Sequence, residues 1–110
     1  MAFAHGPLVT TDLVLAETDY LVLRRLGVGA ERMFLEQLVA GVPLREPVAN
    51  GDLERALEIL EQYSDQALGL TDASLMAIAE RLDTRRVLTL DVRHFAPFRD
   101  SKGRPFELLP

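Results

Sequence analysis

Residues 69–95 read GLTDASLMAIAERLDTRRVLTLDVRHF, and this stretch decides the fold. Leu75, Ile78, Ala79 and Leu82 recur at the spacing of one buried helix face. Thr71 or Asp72 stands where a short oxygen-bearing side chain caps the free amides of a first turn. Asp83, Thr84, Arg85 and Arg86 break the period and suit a turn. Val87, Leu88, Thr89 and Leu90 form an apolar run too short for a helix, which reads as a buried strand of a parallel sheet. Asp91 follows at the end of that strand. Ligands of open α/β sheets bind beyond the carboxyl ends of the strands. A helix that runs back along the sheet before its strand begins at that same edge, so Asp72 and Asp91 are expected to share it.

Outward toward the N-terminus, Asp52 is placed to cap a helix in which Leu53, Leu57, Leu60, Ser64 and Ala67 share a face, reaching about residue 68. Asn50-Gly51 is a turn signal before it. Leu44 to Val48 suits an edge strand, where Pro43 and Pro47 are tolerated. Ala30 to Ala40 reads as a helix with Met33, Phe34, Gln37 and Leu38 around its buried side. Gly27 and Gly29 separate it from Thr11 to Leu26, a helix apolar nearly all round and so expected to be buried. Glu17 lies among those apolar residues, where a lone carboxylate needs a partner or a metal; Asp19 lies on another side and is expected to be solvated. Leu8, Val9 and Thr10 form a short strand, and residues 1–7 carry no pattern. Outward toward the C-terminus, Asp100 to Pro105 is a polar turn and Phe106 to Leu109 a last short strand. The alternation predicts one α/β domain over residues 1–110, three layers with a mostly parallel sheet flanked by helices.

Composition narrows the function. The chain has 110 residues, 48% of them hydrophobic, which excludes disorder. It has no cysteine, which excludes thiolate metal sites and fits a reducing cytoplasm. No apolar run is long enough to span a bilayer. The net charge of −5 excludes a generic polyanion binder. Basic residues gather at 81–104 (Arg81, Arg85, Arg86, Arg93, Arg99, Lys102, Arg104), which reads either as a solvated surface balancing acids elsewhere or as a phosphate-facing patch.

Three acids, Glu17, Asp72 and Asp91, stand at helix or strand positions directed to one sheet edge. Hard divalent ions such as magnesium or manganese take oxygen ligands, and such ions serve metal-dependent phosphodiester hydrolysis. Thr89, two residues before Asp91, shares its strand face and can orient a water or ligand. The plain alternative makes Asp72 a helix cap, Asp91 a strand terminator and Glu17 the partner of an arginine. His94 reads as a structural hydrogen-bonder, and His5 carries no weight.

These residues resemble the PIN-domain family, and within it the VapC-type toxins of toxin–antitoxin pairs. TTDLVLAETDYLV resembles the segment with the family's helix-borne glutamate, which falls on Glu17. LGLTDASLMAIAERL resembles the segment with an acid at a helix start, which falls on Asp72. VLTLDVRHF resembles the strand-end motif, with its acid on Asp91 and the preceding hydroxyl residue on Thr89. The match runs in order from about Leu8 to the C-terminus.

The resemblance implies a magnesium- or manganese-dependent endoribonuclease with an RNA substrate, often a transfer RNA. It also implies a cognate antitoxin whose tail blocks the acidic groove, and a homodimer. One departure stands out. The family opens with a central strand ending in an aspartate, whereas this chain starts just before what resembles the second strand, and Asp12 lies past that strand. The expectation is therefore an N-terminally truncated PIN-like domain with a gap in its sheet, closed either by direct pairing of the remaining strands or by a second chain, and with weak or absent catalysis. The rival reading is a non-catalytic remnant that grips an antitoxin or its own kind through the helices at 11–40.

Overall fold

The computed structural model describes residues 7–88, 99 and 102–104, and the backbone of 107–109. Strand β1 (Val9–Thr10) leads directly into helix α1 (Asp12–Leu26). Thr11 caps the junction, its hydroxyl accepting from the Val14 N–H at 3.3 Å. Helix α2 (Val28–Val39) folds back from α1 and packs against it. Strand β2 (Leu44–Arg45), helices α3 (Asn50–Gln62) and α4 (Leu70–Arg81), and strands β3 (Arg86–Leu88) and β4 (Glu107–Leu109) complete the order.

The sheet runs β2-β1-β3-β4 and every pair is parallel. The expected α/β class with a parallel sheet flanked by helices is therefore met. The strands on either side of the expected gap pair directly, with Val9 opposite Val87. Thr84 reinforces that seam: its buried hydroxyl donates to the Pro7 carbonyl and accepts from the Arg86 N–H at 3.2 Å, tying the starts of β1 and β3 together.

Helix α4 is the centre of the core. Residues Ala73 to Ala79 are all buried, not only the Leu75–Ile78–Ala79 stripe. Ala73, Ser74, Ala77 and Ala79 are small enough for neighbours to approach from every side, and α3, α1 and β3 do so. Leu82, the last member of the predicted stripe, is only partly buried at the rim. The helix ends in a Schellman motif: the Thr84 N–H reaches the Ala79 carbonyl at 2.9 Å and the Asp83 N–H reaches Glu80 at 3.1 Å, with Asp83 in the left-handed region at φ 50°.

Several local expectations are corrected. Helix α3 is rotated from the predicted face: Asp52, Ala56 and Ile59 are buried, while Leu53 and Leu57 are exposed. Ala56 and Ile59 join Ala73 and Ala77 of α4 in one buried cluster, and two ion pairs hold that rotation. Asp52 takes Arg81 through both oxygens at 2.9 and 3.1 Å, and Arg55 takes Glu80 at 2.9 and 3.2 Å. Asn50-Gly51 forms the first turn of α3 instead of a separate turn. Asp52 is not the cap residue either; it sits in the first turn and accepts from the Ala49 N–H at 2.9 Å. Helix α1 is not buried all round: it buries Val14, Leu15 and Thr18 and exposes Leu13, Tyr20, Leu23 and Leu26.

Two tests follow from this geometry. Gly27 joins α1 and α2 at φ 92° and ψ 179°, backbone that is essentially closed to other residues. An added Cβ there would meet nothing within 4 Å, so the cost of substitution is conformational. Gly27→Ala is expected to lower stability by about 1–3 kcal/mol, read as a shift in the denaturant midpoint.

Burial pushes the Asp52 carboxyl up, but the Arg81 guanidinium and the Ala49 N–H outweigh it and hold the group below its ordinary value. A depressed acid stabilises the fold above its unfolded pKa, and that stability is lost as pH falls through the folded value. Asp52→Asn is expected to cost about 1–3 kcal/mol at neutral pH. The gap between variant and parent should close on acidification below the carboxylate range, as measured by urea unfolding across pH.

Candidate functional site

Because the strands are parallel, their carboxyl ends share one edge of the sheet. Helix α1 leaves β1 at that edge. Helix α4 runs back before β3, so its first turn returns to the same edge. This is how α1 and the first turn of α4, far apart in sequence, come together in the fold. The contact between the two helices is visible at the side-chain level: the Thr71 hydroxyl donates to Glu17 Oε1 at 3.3 Å. The contact is made by Thr71; Asp72 is the next residue of α4. Asp91 and Thr89 lie outside the described residues, as do His94 and His5.

Glu17 is exposed, not trapped on an apolar face, because α1 turns its Leu13–Tyr20 side to the surface. It also lacks the arginine partner of the plain alternative: no cation among the described residues lies within ion-pairing distance. Six other carboxylates among the described residues are ion-paired. Asp52 and Glu46 take Arg81, Glu58 and Glu80 take Arg55, Asp12 takes Arg45, and Asp83 takes Arg104 and Lys102. An exposed carboxylate held by a single neutral donor suits a hard cation.

Asp72 is half-buried in the first turn of α4, where the helix dipole favours a negative charge. Neither Asp72 nor Thr71 caps that helix; the cap position falls on Gly69 and carries no side-chain hydrogen bond. Oxygen donors from Glu17 and Asp72 fit a divalent ion in kind, although no three acidic or histidine side chains gather into a cage among the described residues.

Two features escaped the sequence. Thr71 carries the link between α1 and α4, and the only signal for it was a hydroxyl residue beside a candidate acid. Asp19, expected in solvent, has a buried Oδ1 without a hydrogen-bond partner. Glu31 of α2 faces it, and the hydrogen-bonded Asp19 carboxyl, together with burial, pushes the Glu31 carboxyl above its ordinary value. The hairpin of α1 and α2 closes over Asp19, which a helical wheel of α1 alone does not show. Of the basic residues at 81–104, Arg81, Lys102 and Arg104 pair with Asp52, Glu46 and Asp83.

A parallel sheet with acids returned to its carboxyl edge by α1 and α4 defines a class, and a family comparison agrees with it. Residues 2–99 match the PIN domain, and the chain belongs to the PIN-domain family. Within that family it is of VapC type: it is 40% identical over 103 residues to Ribonuclease VapC26 of Mycobacterium tuberculosis (strain ATCC 25618 / H37Rv), covering 94% of this chain and 76% of that protein.

Proposed function

We propose that this chain is a metal-dependent endoribonuclease of toxin–antitoxin type that hydrolyses RNA phosphodiesters, transfer RNA among them. The observation that supports this reading is the hydrogen bond from Thr71 to Glu17, made one residue before Asp72, in a chain related to a ribonuclease. Glu17, Asp72 and Asp91 would hold magnesium or manganese, and Thr89 would orient a water or phosphate oxygen beside them. When bound, such an ion supplies Lewis acidity and charge neutralisation at a phosphate. Glu17 and Asp72 supply the charge that attracts it, and the net charge of −5 makes that cation the means by which an RNA backbone is accepted. The work would be done in the cytoplasm, and no described helix is long and apolar enough to cross a membrane.

The partners of this reading are a cognate antitoxin and a second copy of the chain. Helix α2 supports an interaction role, which is also the centre of the rival, non-catalytic reading. It contributes no buried residue, and Val39 and Met33 are 90% and 67% exposed. Arg32 and Glu36 flank its outward Leu35 without ion pairs among the described residues. An antiparallel pairing of two α2 helices about a twofold axis would set Arg32 of each copy against Glu36 of the other.

Two measurements test the proposal. In a manganese titration by calorimetry, Glu17→Gln and Asp72→Asn should each weaken binding at least about tenfold and abolish cleavage of an RNA substrate; a folded parent chain that binds no metal would leave the binding-module reading ahead. In sedimentation, Arg32→Glu and Glu36→Arg should each shift the chain toward monomer and the double exchange should restore the dimer.

A further inference from the structure

Resting on the reading of Glu17 and Asp72 as cation ligands, we propose that Thr71 is a positioning residue for that site: its hydroxyl holds Glu17 Oε1 at the start of α4 and so sets the separation of the two carboxylates.

The geometry is specific on both sides of the bond. A glutamate on an exposed helix face samples several rotamers, and ordering it costs entropy that a cation would otherwise have to supply. The Thr71 hydroxyl engages only Oε1, at 3.3 Å. Glu17 Oε2 has no hydrogen bond or ion pair among the described residues, so one oxygen is left for a ligand. Thr71 is itself held. The hydroxyl of fully buried Ser74 donates to the Thr71 carbonyl at 3.1 Å, and the Ala73 N–H reaches Gly69 at 3.0 Å. The donor therefore belongs to the rigid first turn of the central helix, one residue from Asp72.

The choice of a hydroxyl matters. An arginine at this position would also fix Glu17, but it would neutralise the charge on which cation binding depends. A threonine orients the carboxylate and leaves the charge intact, as neighbours of metal ligands commonly do. The bond is long and lies in solvent, so it adds little to folding. Its loss should be felt in ligand binding and not in stability.

The test is manganese binding to the full chain by calorimetry, with thermal unfolding measured alongside. Thr71→Val keeps the shape and removes the hydroxyl; Thr71→Ala is a second deletion should valine disturb the turn; Thr71→Ser restores the donor. The expected result is a manganese affinity about tenfold weaker in Thr71→Val and Thr71→Ala, restored to within about twofold in Thr71→Ser, at unchanged melting temperature. Equal affinity in parent and Thr71→Val, with Glu17→Gln still weakened, would overturn the role of Thr71 and leave the ligand reading standing. Equal weakening in Thr71→Val and Thr71→Ser would overturn it too, since the hydroxyl would not be the cause. A parent chain without manganese binding, or a Glu17→Gln variant that binds like the parent, would remove the ligand reading and Thr71 with it.

Discussion

Burial of α4 on every side is the constraint on which the rest of this protein depends. A helix can be enclosed by two other helices and a strand only if its flanks are narrow, and the small residues among Ala73 to Ala79 make them so. Small flanks draw α3 close enough for Ala56 and Ile59 to fill the gap. That approach places Asp52 on Arg81 and Arg55 on Glu80, so charge pairs border the contact instead of interrupting it. The same enclosure fixes where α4 begins and ends. Its C-terminus turns sharply through Asp83 into β3, and its N-terminus is presented to α1. The candidate site inherits its position from a packing requirement.

The α/β class, the order of elements and the strand at Val87 were legible in the sequence, because a short apolar run between amphipathic segments fits little besides a strand of a buried sheet. The meeting of α1 with the start of α4 was legible for a topological reason: parallel strands return successive helices to one edge. What could not be read was rotation about a helix axis where two apolar stripes compete. In α3, Leu53 and Leu57 make the more hydrophobic line, yet Ala56 and Ile59 are inside, because the partner surface rewards small side chains and the flanking ion pairs fix the angle. In α1 the apolar character around the whole circumference suggested full burial, but the hairpin leaves Tyr20 and Leu26 at the surface. The burial of Asp19 Oδ1 depends on a crossing between two helices that neither helix encodes alone.

The acids differ in what they meet. Asp52 on α3 and Glu80 near the end of α4 pair with arginines of the facing helix, which ties the two helices together. Glu17, like Glu54, has instead a neutral donor at one oxygen.

Helix α2 has a consequence of another kind. It supplies no residue to the interior and is joined to α1 through a glycine with its own backbone geometry. Its outward side chains can therefore change without a folding penalty, while those of α4 cannot. Such a division lets related chains diverge rapidly in whom they bind and slowly in how they fold. Many copies of one architecture could then coexist in a cell without cross-pairing, each insulated from the others by the outward residues of one helix.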